Sequence, residues 1–515
     1  MTAGGALIAV LTLVFVGTQL LYTLALGIDL YFYTRRVHWV RPDDIAAYNP
    51  VRYPMIVLLY PVLRELEETM ATTLLGLSKL DYPEDRFRIV AIPNDNDHET
   101  LERLRRLQDR FAFLEVLPVP PTSDESWNAV WESWSANPKA YWWHWGAKAA
   151  NHDLPPKKTR QLVYALYTIA AQMSEEPDWL LNYIDADSVP PVDHLRAGAA
   201  GSERFDVLQA TNVAGNLLDS WAASWHAMDH MSWDGLKYPR MTSPGRQPYW
   251  MLGKGLFYKA SDLLELGSFN PWVTIEDPEV GLRLWANGKR LGLIAAPLIE
   301  EVPTTIRAGV TQRKRWVCGF LQASAAPLVL MGLTAGERAR ARMNLWPFLF
   351  LAVNPVGIPI GIWAFVVFVD GTSPLPLWVG ILCIVNIAAL VTSLTITYVS
   401  TWKRTGYVLD RRADRIRYML RVNPLLLIVY WLIWIVPIAI GIQMFVRDRG
   451  LVWERTEKID ANHRLVRGLV ADGRTVEQFA DLDLGAESEL EQIAPVGRRV
   501  AARESVGPGR ASDSS

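Results

Sequence analysis

Cysteine is nearly absent from this chain, and neither sign of charge dominates it. Only Cys318 and Cys383 occur in 515 residues, so no disulfide framework or cysteine metal site can be built. Both lie within or beside apolar segments, which indicates a reducing compartment for the polar part of the chain. The 52 Lys and Arg residues balance 54 Asp and Glu residues, giving a formal net charge of −2. A nucleic-acid partner has no support, because such partners require a basic surface.

Half of the residues are hydrophobic, and they are concentrated in a few long segments. Residues 6–33 carry a single charge, Asp29, and are followed by Arg35 and Arg36. A secretory signal peptide would be shorter, begin with basic residues and end at a small-residue cleavage site. Residues 1–36 are therefore predicted to form a retained transmembrane anchor. Later segments that approach the ~20 apolar residues needed to cross a bilayer are 345–369, 375–400 and 424–446.

Basic residues cluster near the ends of these apolar segments. They follow the first anchor, precede the second segment and fill the 401–421 connection. The positive-inside rule then places residues 37–342 in the cytoplasm and the N-terminus outside, as in a multi-pass protein of the cell (inner) membrane. Three simple spans would export a tail that contains Arg447 and Arg449. Either the tail is exported despite its charge, or one apolar segment does not span.

The polar region alternates short apolar runs with amphipathic segments. Runs at 53–61 and 87–93 predict strands, and residues 65–80 and 101–111 predict helices. Such βαβ units form a parallel sheet covered on both faces, with ligands beyond the carboxyl ends of the strands. The tryptophan-rich residues 127–145 are predicted to be an irregular surface insertion. Aromatic packing is favoured there over stacking on a polysaccharide.

Two acidic motifs follow predicted strands. Asp95-Asn96-Asp97 comes after the run that ends near residue 93, and Asp185-Ala186-Asp187 comes after residues 179–184. Paired carboxylates at such a point can hold Mg²⁺ or Mn²⁺ together with the phosphates of a substrate. A solvated turn is the alternative interpretation of Asp-x-Asp. The position after a strand favours a metal site.

Glu276-Asp277 precedes an amphipathic helical pattern over residues 278–285. Adjacent carboxylates at a helix N-terminus can simply cap the helix. A carboxylate held in a cleft can instead act as a general base. The two side chains have different environments, so the pair can divide base and supporting roles.

Gln312-Arg313-Lys314-Arg315-Trp316 precedes the second apolar segment. It can be a juxtamembrane basic anchor with an interfacial tryptophan. Alternatively, arginine binds a leaving diphosphate and the indole stacks on a sugar ring. His226 and His230 lie four residues apart and could bind metal, but no third ligand is close in sequence, so a half-buried helix is favoured.

In their order and spacing, the four motifs resemble the membrane-embedded family 2 glycosyltransferases, which include cellulose, chitin and hyaluronan synthases. The resemblance covers residues 1–446. It implies a GT-A-like α/β domain with a mostly parallel sheet, inserted between transmembrane α-helices. The implied parts are a catalytic domain at 37–316, an interfacial segment at 317–342, a transmembrane region at 343–446 and a polar, partly disordered tail at 447–515.

The resemblance also implies how this chain would bind a nucleotide-sugar donor. Asp95 would contact the nucleotide base. Asp187, with Asp185 nearby, would hold Mg²⁺ or Mn²⁺ on the donor diphosphate. Gln312 and Arg315 would bind that diphosphate.

The acceptor side follows from the same resemblance. Asp277 would be the general base, with Glu276 supporting it, and Trp316 would stack on the acceptor. Gly253 and Gly255 lie in a segment that resembles the lining of the acceptor pocket.

The chain departs from the family pattern in three places. Arg64-Glu65 stands where Asn-Glu is usual, and Ile275 stands where Thr commonly precedes the Glu-Asp pair. Lys157-Lys158-Thr159-Arg160 matches the family's lysine-rich donor segment only loosely.

The expected function is inverting transfer of a sugar from a nucleoside-diphosphate sugar, with UDP expected, to a growing β-glycan. Addition is expected to be processive, with the product translocated through the lipid bilayer. The alternatives are a membrane transferase that adds one sugar to a lipid-linked or oligosaccharide acceptor, and an inactive export or sensing protein. Inactivity would predict damage to Asp187, Asp277 or Arg315, and all three are intact.

Overall fold

A computed structural model describes residues 3–176, 178–242, 247–345, 362, 366, 369–370, 377–447 and 459–471. Most of the apolar segment predicted at 345–369 lies outside the described residues, as does the tail after residue 471.

Eight strands form a single mixed sheet in the described part of the chain. They are β1 (Trp39–Val40), β2 (Ile56–Tyr60), β3 (Phe87–Ala91), β4 (Leu114–Val116), β5 (Leu180–Tyr183), β6 (Val207–Ala214), β7 (Leu256–Lys259) and β8 (Leu291–Glu300). Their order is β1-β8-β6-β7-β5-β2-β3-β4, and β7 runs antiparallel to both neighbours while the other pairings are parallel. The mostly parallel sheet predicted from the sequence is confirmed.

The α-helices described before residue 346 are α1 to α14 in chain order. They are α1 (Ala3–Tyr33), α2 (Pro42–Ala47), α3 (Glu67–Leu77), α4 (His98–Arg110), α5 (Asn128–Ala136), α6 (Tyr141–His144), α7 (Lys158–Gln172), α8 (His194–Ser202), α9 (Trp221–Asp229), α10 (Tyr238–Met241), α11 (Ala260–Glu265), α12 (Asp277–Ala286), α13 (Ile306–Ala325) and α14 (Ala335–Leu345). A π-helix, His230–Lys237, joins α9 to α10. The helices that follow are α15 (Leu377–Thr405), α16 (Arg412–Arg421), α17 (Pro424–Val446) and α18 (His463–Ala471).

The central strands are buried on both faces because helices cover both sides of the sheet. In β2, Val57 and Leu59 point to a core shared with α7, while Leu58 and Tyr60 point to a core shared with α3 and α4. This alternation follows from the two-residue period of a strand. Because β2 is parallel to both β3 and β5, the carboxyl ends of these three strands lie at one edge of the sheet.

The tryptophan-rich region was predicted to be an irregular surface insertion, and this prediction is wrong. It forms a short 3₁₀ helix (Glu125–Trp127), α5 and α6. The rings of Trp127, Trp131 and Trp134 are buried in the core that also contains α7. These residues are spaced four and three apart, so one helical face carries all of them. Trp131 and Trp143 stack with ring centroids 5.4 Å apart. The favoured explanation, aromatic packing, matches this arrangement.

Three helices of the described residues are long and apolar enough to cross a membrane: the Phe15–Tyr33 part of α1, α15 and α17. Polar side chains link the first two, since Thr23 Oγ1 donates to Asn386 Oδ1 at 2.8 Å. In contrast, α17 runs beside α13 of the sheet domain, with Gly441 packed against Val317. The boundary expected between residues 316 and 317 falls inside α13.

Part of the predicted tail folds back onto the sheet domain. Residues 459–471 include α18, and Leu465, Val466 and Leu469 of this helix are buried. The helix packs against α3. This segment of the tail is therefore part of the domain core.

Candidate active site

A single lysine joins two of the acidic motifs. Lys158, the first residue of α7, places its Nζ 2.8 Å from Asp185 Oδ1 and 3.2 Å from Glu276 Oε1. It also lies 4.7 Å from the centroid of the Tyr183 ring. Burial by itself lowers the pKa of Lys158, but the charges of Asp185 and the Glu276–Asp277 pair raise it above its usual value. The ammonium group thus stays charged between the carboxylates.

The position of Asp277 is fixed by the helix that it begins. Pro278 occupies the first turn of α12, where its missing N–H costs nothing. One turn later, Arg283 pairs with Glu279 at 2.7 Å and donates to the carbonyl oxygens of Leu266 and Ser268, both at 2.7 Å. These buried contacts anchor α12, and α12 presents Asp277 at its N-terminus.

Glu276 and Asp277 have opposite pKa shifts. Burial and the adjacent charge of Glu276 raise the pKa of Asp277 well above the usual carboxyl range. For Glu276, burial acts in the same direction, but the charge of Lys158 and a hydrogen bond with Asp277 give a net lowering of its pKa. Tyr183 donates its hydroxyl to Asp277 Oδ1 at 3.0 Å. Glu276 is therefore the carboxylate that stays ionised, and Asp277 is the one that binds a proton more readily than an ordinary carboxylate.

Asp185 and Asp187 follow β5, as the sequence predicts. The backbone between them is held by two hydrogen bonds, because Tyr60 Oη and Thr73 Oγ1 both donate to the Ala186 carbonyl at 2.8 Å. Asp187 Oδ2 accepts the backbone N–H of Glu301 at 3.0 Å. The motif is thus built into the sheet edge and is not a loose, solvated turn.

The charges around this motif suit a divalent cation. Burial raises the pKa of Glu300, and Asp185 and Asp187 add to that effect although Lys254 opposes it. Asp185 likewise contributes to the raised pKa of Asp277. No cluster of three or more His, Cys, Asp or Glu ligands occurs among the described residues, so a metal here would take further ligands from a substrate.

Asp95 and Asp97 have different surroundings. Asp97 caps α4: it accepts Thr100 Oγ1 at 2.8 Å and the backbone N–H of Arg64 at 3.1 Å. Asp95 is half-buried, and its charge acts on Arg160, which donates to Asn94 Oδ1 at 2.6 Å. The first turn of α7 thus reaches both acidic strand ends, through Lys158 at one and through Arg160 at the other.

The two glycines of the expected acceptor segment are placed differently. Gly253 has φ +72°, and a Cβ there would collide with the Asp277 carboxylate, so it borders the acidic pair. Gly255 has φ +54°, but a Cβ there would meet Leu298 and Ala210 in the sheet core. The structure brings only Gly253 to Asp277.

One face of α13 points toward the loop before Asp277. Arg315, Trp316 and Gly319 follow Gln312 by three, four and seven residues, so the four residues share a helical face. At the end of this face, Gly319 packs against Ile275. Trp316 is half-buried, with its ring 6.2 Å from that of His230.

The neighbouring position has a structural role. Arg313 is buried, and its Nη2 lies 2.6 Å from Asp229 Oδ2. Its guanidinium lies 5.1 Å from the Trp434 ring of α17. Arg313 therefore connects α13 to α9 and α17, and its guanidinium also lies 5.5 Å from the centroid of the Trp316 ring.

His226 and His230 are both buried, whereas Trp221 of α9, the helix that carries His226, is exposed. His226 Nδ1 lies 2.9 Å from Tyr430 Oη, and His230 Nδ1 lies 2.8 Å from Asp234 Oδ2. Burial and the charge of Arg313 lower the pKa of His226 to about 2. Each ring has its own hydrogen-bond partner, and the pair does not converge on one point.

Lys158 and Tyr183 had no predicted role from the sequence. Lys158 lies in the segment that matched the family only loosely, and Tyr183 is the last residue of β5. The signal for Tyr183 was its position two residues before Asp185. Lys158 lies 118 residues from Glu276 along the chain, so no local pattern could pair them.

The family model for "Glycosyl transferase family group 2" matches residues 180–446, which is more than half of the chain. The chain belongs to glycosyl transferase family group 2. No curated protein sequence is significantly similar to it. This glycosyltransferase is similar to the solved "Mannosyltransferase PcManGT from Pyrobaculum calidifontis in complex with GDP-Man and Mn2+", with 16% identity, TM-score 0.44, and coverage of 86% of this chain and 99% of that one. It is also similar to residues 1–349 of S. aureus TarS with UDP, with 13% identity, TM-score 0.32, and coverage of 79% and 95%.

The charge of Glu276 should shift the pH dependence of this glycosyltransferase. A base must be ionised to act, so with Asp277 as the expected base kcat/KM should fall as pH drops through the raised pKa of Asp277. Burial is the largest cause of this raised pKa, and Glu276→Gln removes the second cause, the adjacent charge. The acid limb of the pH profile should therefore move to lower pH, even if the maximal rate falls. An acid limb that stays in place or moves to higher pH would show that Asp277 is not the titrating group.

Proposed function

We propose that this protein is a membrane-bound, inverting glycosyltransferase that extends a β-glycan from a nucleoside-diphosphate sugar, with UDP as the expected nucleotide. The proposal extends the family assignment to a reaction and a substrate class. We infer that addition is processive because Gln312 to Trp316 matches the motif of repeated addition in the synthases that the sequence resembles.

The observation that carries the proposal is the pair of contacts made by Lys158. By touching both Asp185 and Glu276, it supports a common site for the donor motif and the base motif. A sugar bound by its diphosphate at Asp185 and Asp187 would then have its anomeric carbon near Asp277. Such alignment of reactants accounts for a large part of the rate of a transfer reaction.

In the proposed reaction, the acceptor hydroxyl gives its proton to Asp277 as its oxygen attacks the anomeric carbon. The bond from that carbon to the diphosphate oxygen breaks, and the nucleoside diphosphate leaves with the electron pair. Attack opposite the leaving group inverts the anomeric configuration. Glu276 stays ionised beside Lys158 and keeps Asp277 basic, while the hydroxyl of Tyr183 orients its carboxylate.

We assign Asp187 and Asp185 as the ligands of Mg²⁺ or Mn²⁺, and Asp95 as the contact to the nucleotide base. The bound cation would supply charge neutralisation for the departing diphosphate. Gln312 and Arg315 would contact the same diphosphate from α13, since donors aimed at developing charge lower the barrier. On the acceptor side, Gly253 borders the Asp277 carboxylate, whereas Gly255 packs against Leu298 and Ala210 in the sheet core.

We infer a catalytic domain on the cytoplasmic side of the inner membrane, from the basic residues that flank the apolar segments. The tail segment 459–471 packs on α3, so we place it on the same side. An even number of crossings must then separate residue 345 from residue 459. We propose α17 as the segment that does not span, because much of it runs along α13 of the sheet domain, although Ile428 and Trp431 also pack against α1. Labelling an Arg464→Cys variant from either side of oriented vesicles distinguishes the two topologies.

Trp316 is proposed to hold the terminal sugar of the acceptor. Losing one stacked indole should weaken acceptor binding by on the order of 1 kcal/mol. Trp316→Ala should therefore shorten the ladder of products made from a labelled donor far more than it slows hydrolysis of that donor by water. Arg315→Ala should reduce both reactions, because both release the diphosphate.

This comparison also tests the processive assignment. A ladder of products from the unmodified protein means repeated addition, and one product band means transfer of a single sugar. Equal losses of elongation and hydrolysis in a folded, inserted Trp316→Ala variant would show that Trp316 only anchors α13. Chain length is read from the same gel.

A further inference from the structure

The C-terminal segment 459–471 is connected through Glu301, the residue after β8, to Asp187 of the donor motif after β5. Two backbone N–H groups of this segment, from Ile459 and Ala461, donate to the Glu301 carboxylate at 2.8 and 2.9 Å. The backbone N–H of Glu301 in turn donates to Asp187 Oδ2 at 3.0 Å. One residue thus links the tail to the proposed metal ligand.

A second connection passes through α3. The buried side chains of α18 pack against this helix. In α3, Thr73 donates its hydroxyl to the Ala186 carbonyl at 2.8 Å. The tail therefore contacts α3, which helps to hold the Ala186 carbonyl, and Glu301, which holds the Asp187 side chain.

The docked segment has a defined conformation. Asp460 has φ +53°, an uncommon value for a residue with a side chain, and this turn allows both N–H groups to reach Glu301. Asn462 is 4% exposed and lies against Gly215, where a Cβ would collide with its amide. Strain and close packing of this kind are maintained only when surrounding contacts hold them.

We propose that residues 459–471 form a strap that positions Asp187 for metal binding, and that Glu301 is the positioning residue through which the strap acts. The inference rests on the proposed function, since it takes Asp187 as a metal ligand. Groups that hold a metal ligand from behind typically affect metal affinity by about 10 to 100-fold. Release of the strap should therefore weaken cation binding without removing any group that touches the substrate.

The test uses the full chain in lipid nanodiscs and Mn²⁺ with UDP as the probe. Val466 is 1% exposed, so Val466→Asp should release α18, while Arg464→Asp introduces the same group on the exposed face of that helix. Electron paramagnetic resonance of unbound Mn²⁺ gives its affinity without turnover. We expect about 10-fold weaker Mn²⁺ binding for Val466→Asp and no change for Arg464→Asp. With saturating Mn²⁺, kcat should recover while the apparent KM for Mn²⁺ stays raised.

Glu301 provides a second variant that leaves α18 intact. Glu301→Ala removes both acceptor oxygens and should weaken Mn²⁺ binding as Val466→Asp does, whereas Glu301→Gln keeps one acceptor and should give an intermediate loss. Unchanged Mn²⁺ affinity in Glu301→Ala, at an unchanged melting temperature, would overturn the strap. If the unmodified protein binds no Mn²⁺ with UDP, or Asp187→Asn binds it equally well, the metal assignment itself fails.

Discussion

Replacing Asp277 with asparagine should reduce glycosyl transfer by about 10²-fold or more while donor binding persists. Asparagine keeps the size of the side chain beside Gly253, and its amide oxygen can still accept the hydrogen bond from Tyr183. It cannot accept the proton of the acceptor hydroxyl. The measurements are the dissociation constant of the donor and the rate of a single turnover at saturating donor.

Tyr183→Phe is a useful comparison, because it removes a hydroxyl at 3.0 Å from Asp277 and leaves the carboxylate in place. The loss should be smaller than that of Asp277→Asn, since orientation is affected but proton transfer is not abolished. If Asp277→Asn instead loses donor affinity with turnover unchanged at saturating donor, Asp277 binds substrate and is not the base.

Asp187→Ala should abolish turnover, and the unmodified protein should lose its activity in a chelator. The diphosphate must be neutralised as its bond to the sugar breaks, and Asp187 is the proposed principal ligand. Asp187→Asn should be nearly as inactive, although its amide oxygen can still accept the Glu301 N–H. Loss in both variants therefore identifies the charge, and not the hydrogen bond, as the essential property.

Thermal unfolding of both Asp187 variants provides the control for folding. Full activity in a chelator, or in Asp187→Ala, would exclude the metal assignment. Restoration of activity by high Mn²⁺ in Asp187→Asn, but not in Asp187→Ala, would point to residual coordination by the amide oxygen.

The sequence was sufficient for the sheet and for the location of the acidic motifs. Apolar runs at 53–61 and 87–93 predicted β2 and β3, because buried parallel strands require nearly continuous apolar residues. Parallel strands end at the same edge, so Asp95 and Asp185 could be placed at one side of the sheet. The helical pattern after residue 277 likewise predicted α12.

What the sequence could not provide were contacts between residues far apart in the chain. Lys158 meets Glu276, and Glu301 meets Ile459, across 118 and 158 residues, respectively. Periodicity describes one element at a time and carries no information about such pairs. Residues 447–515 were predicted to form a polar, partly disordered tail, and that prediction did not indicate that Val466 and Leu469 are buried against the domain. The same limit applied to the tryptophans of α5, whose spacing reveals a buried face only when a helix is assumed.

The most direct test of the account is donor consumption by the purified full chain in vesicles, with Mn²⁺ and a panel of UDP- and GDP-linked sugars. Each reaction is followed by release of the nucleoside diphosphate and by transfer of a labelled sugar into a glycan. The account predicts that one donor class is consumed, that the new linkage is β, and that Asp277→Asn loses transfer. Consumption of no donor by the folded, inserted protein, or equal transfer by Asp277→Asn, would contradict it.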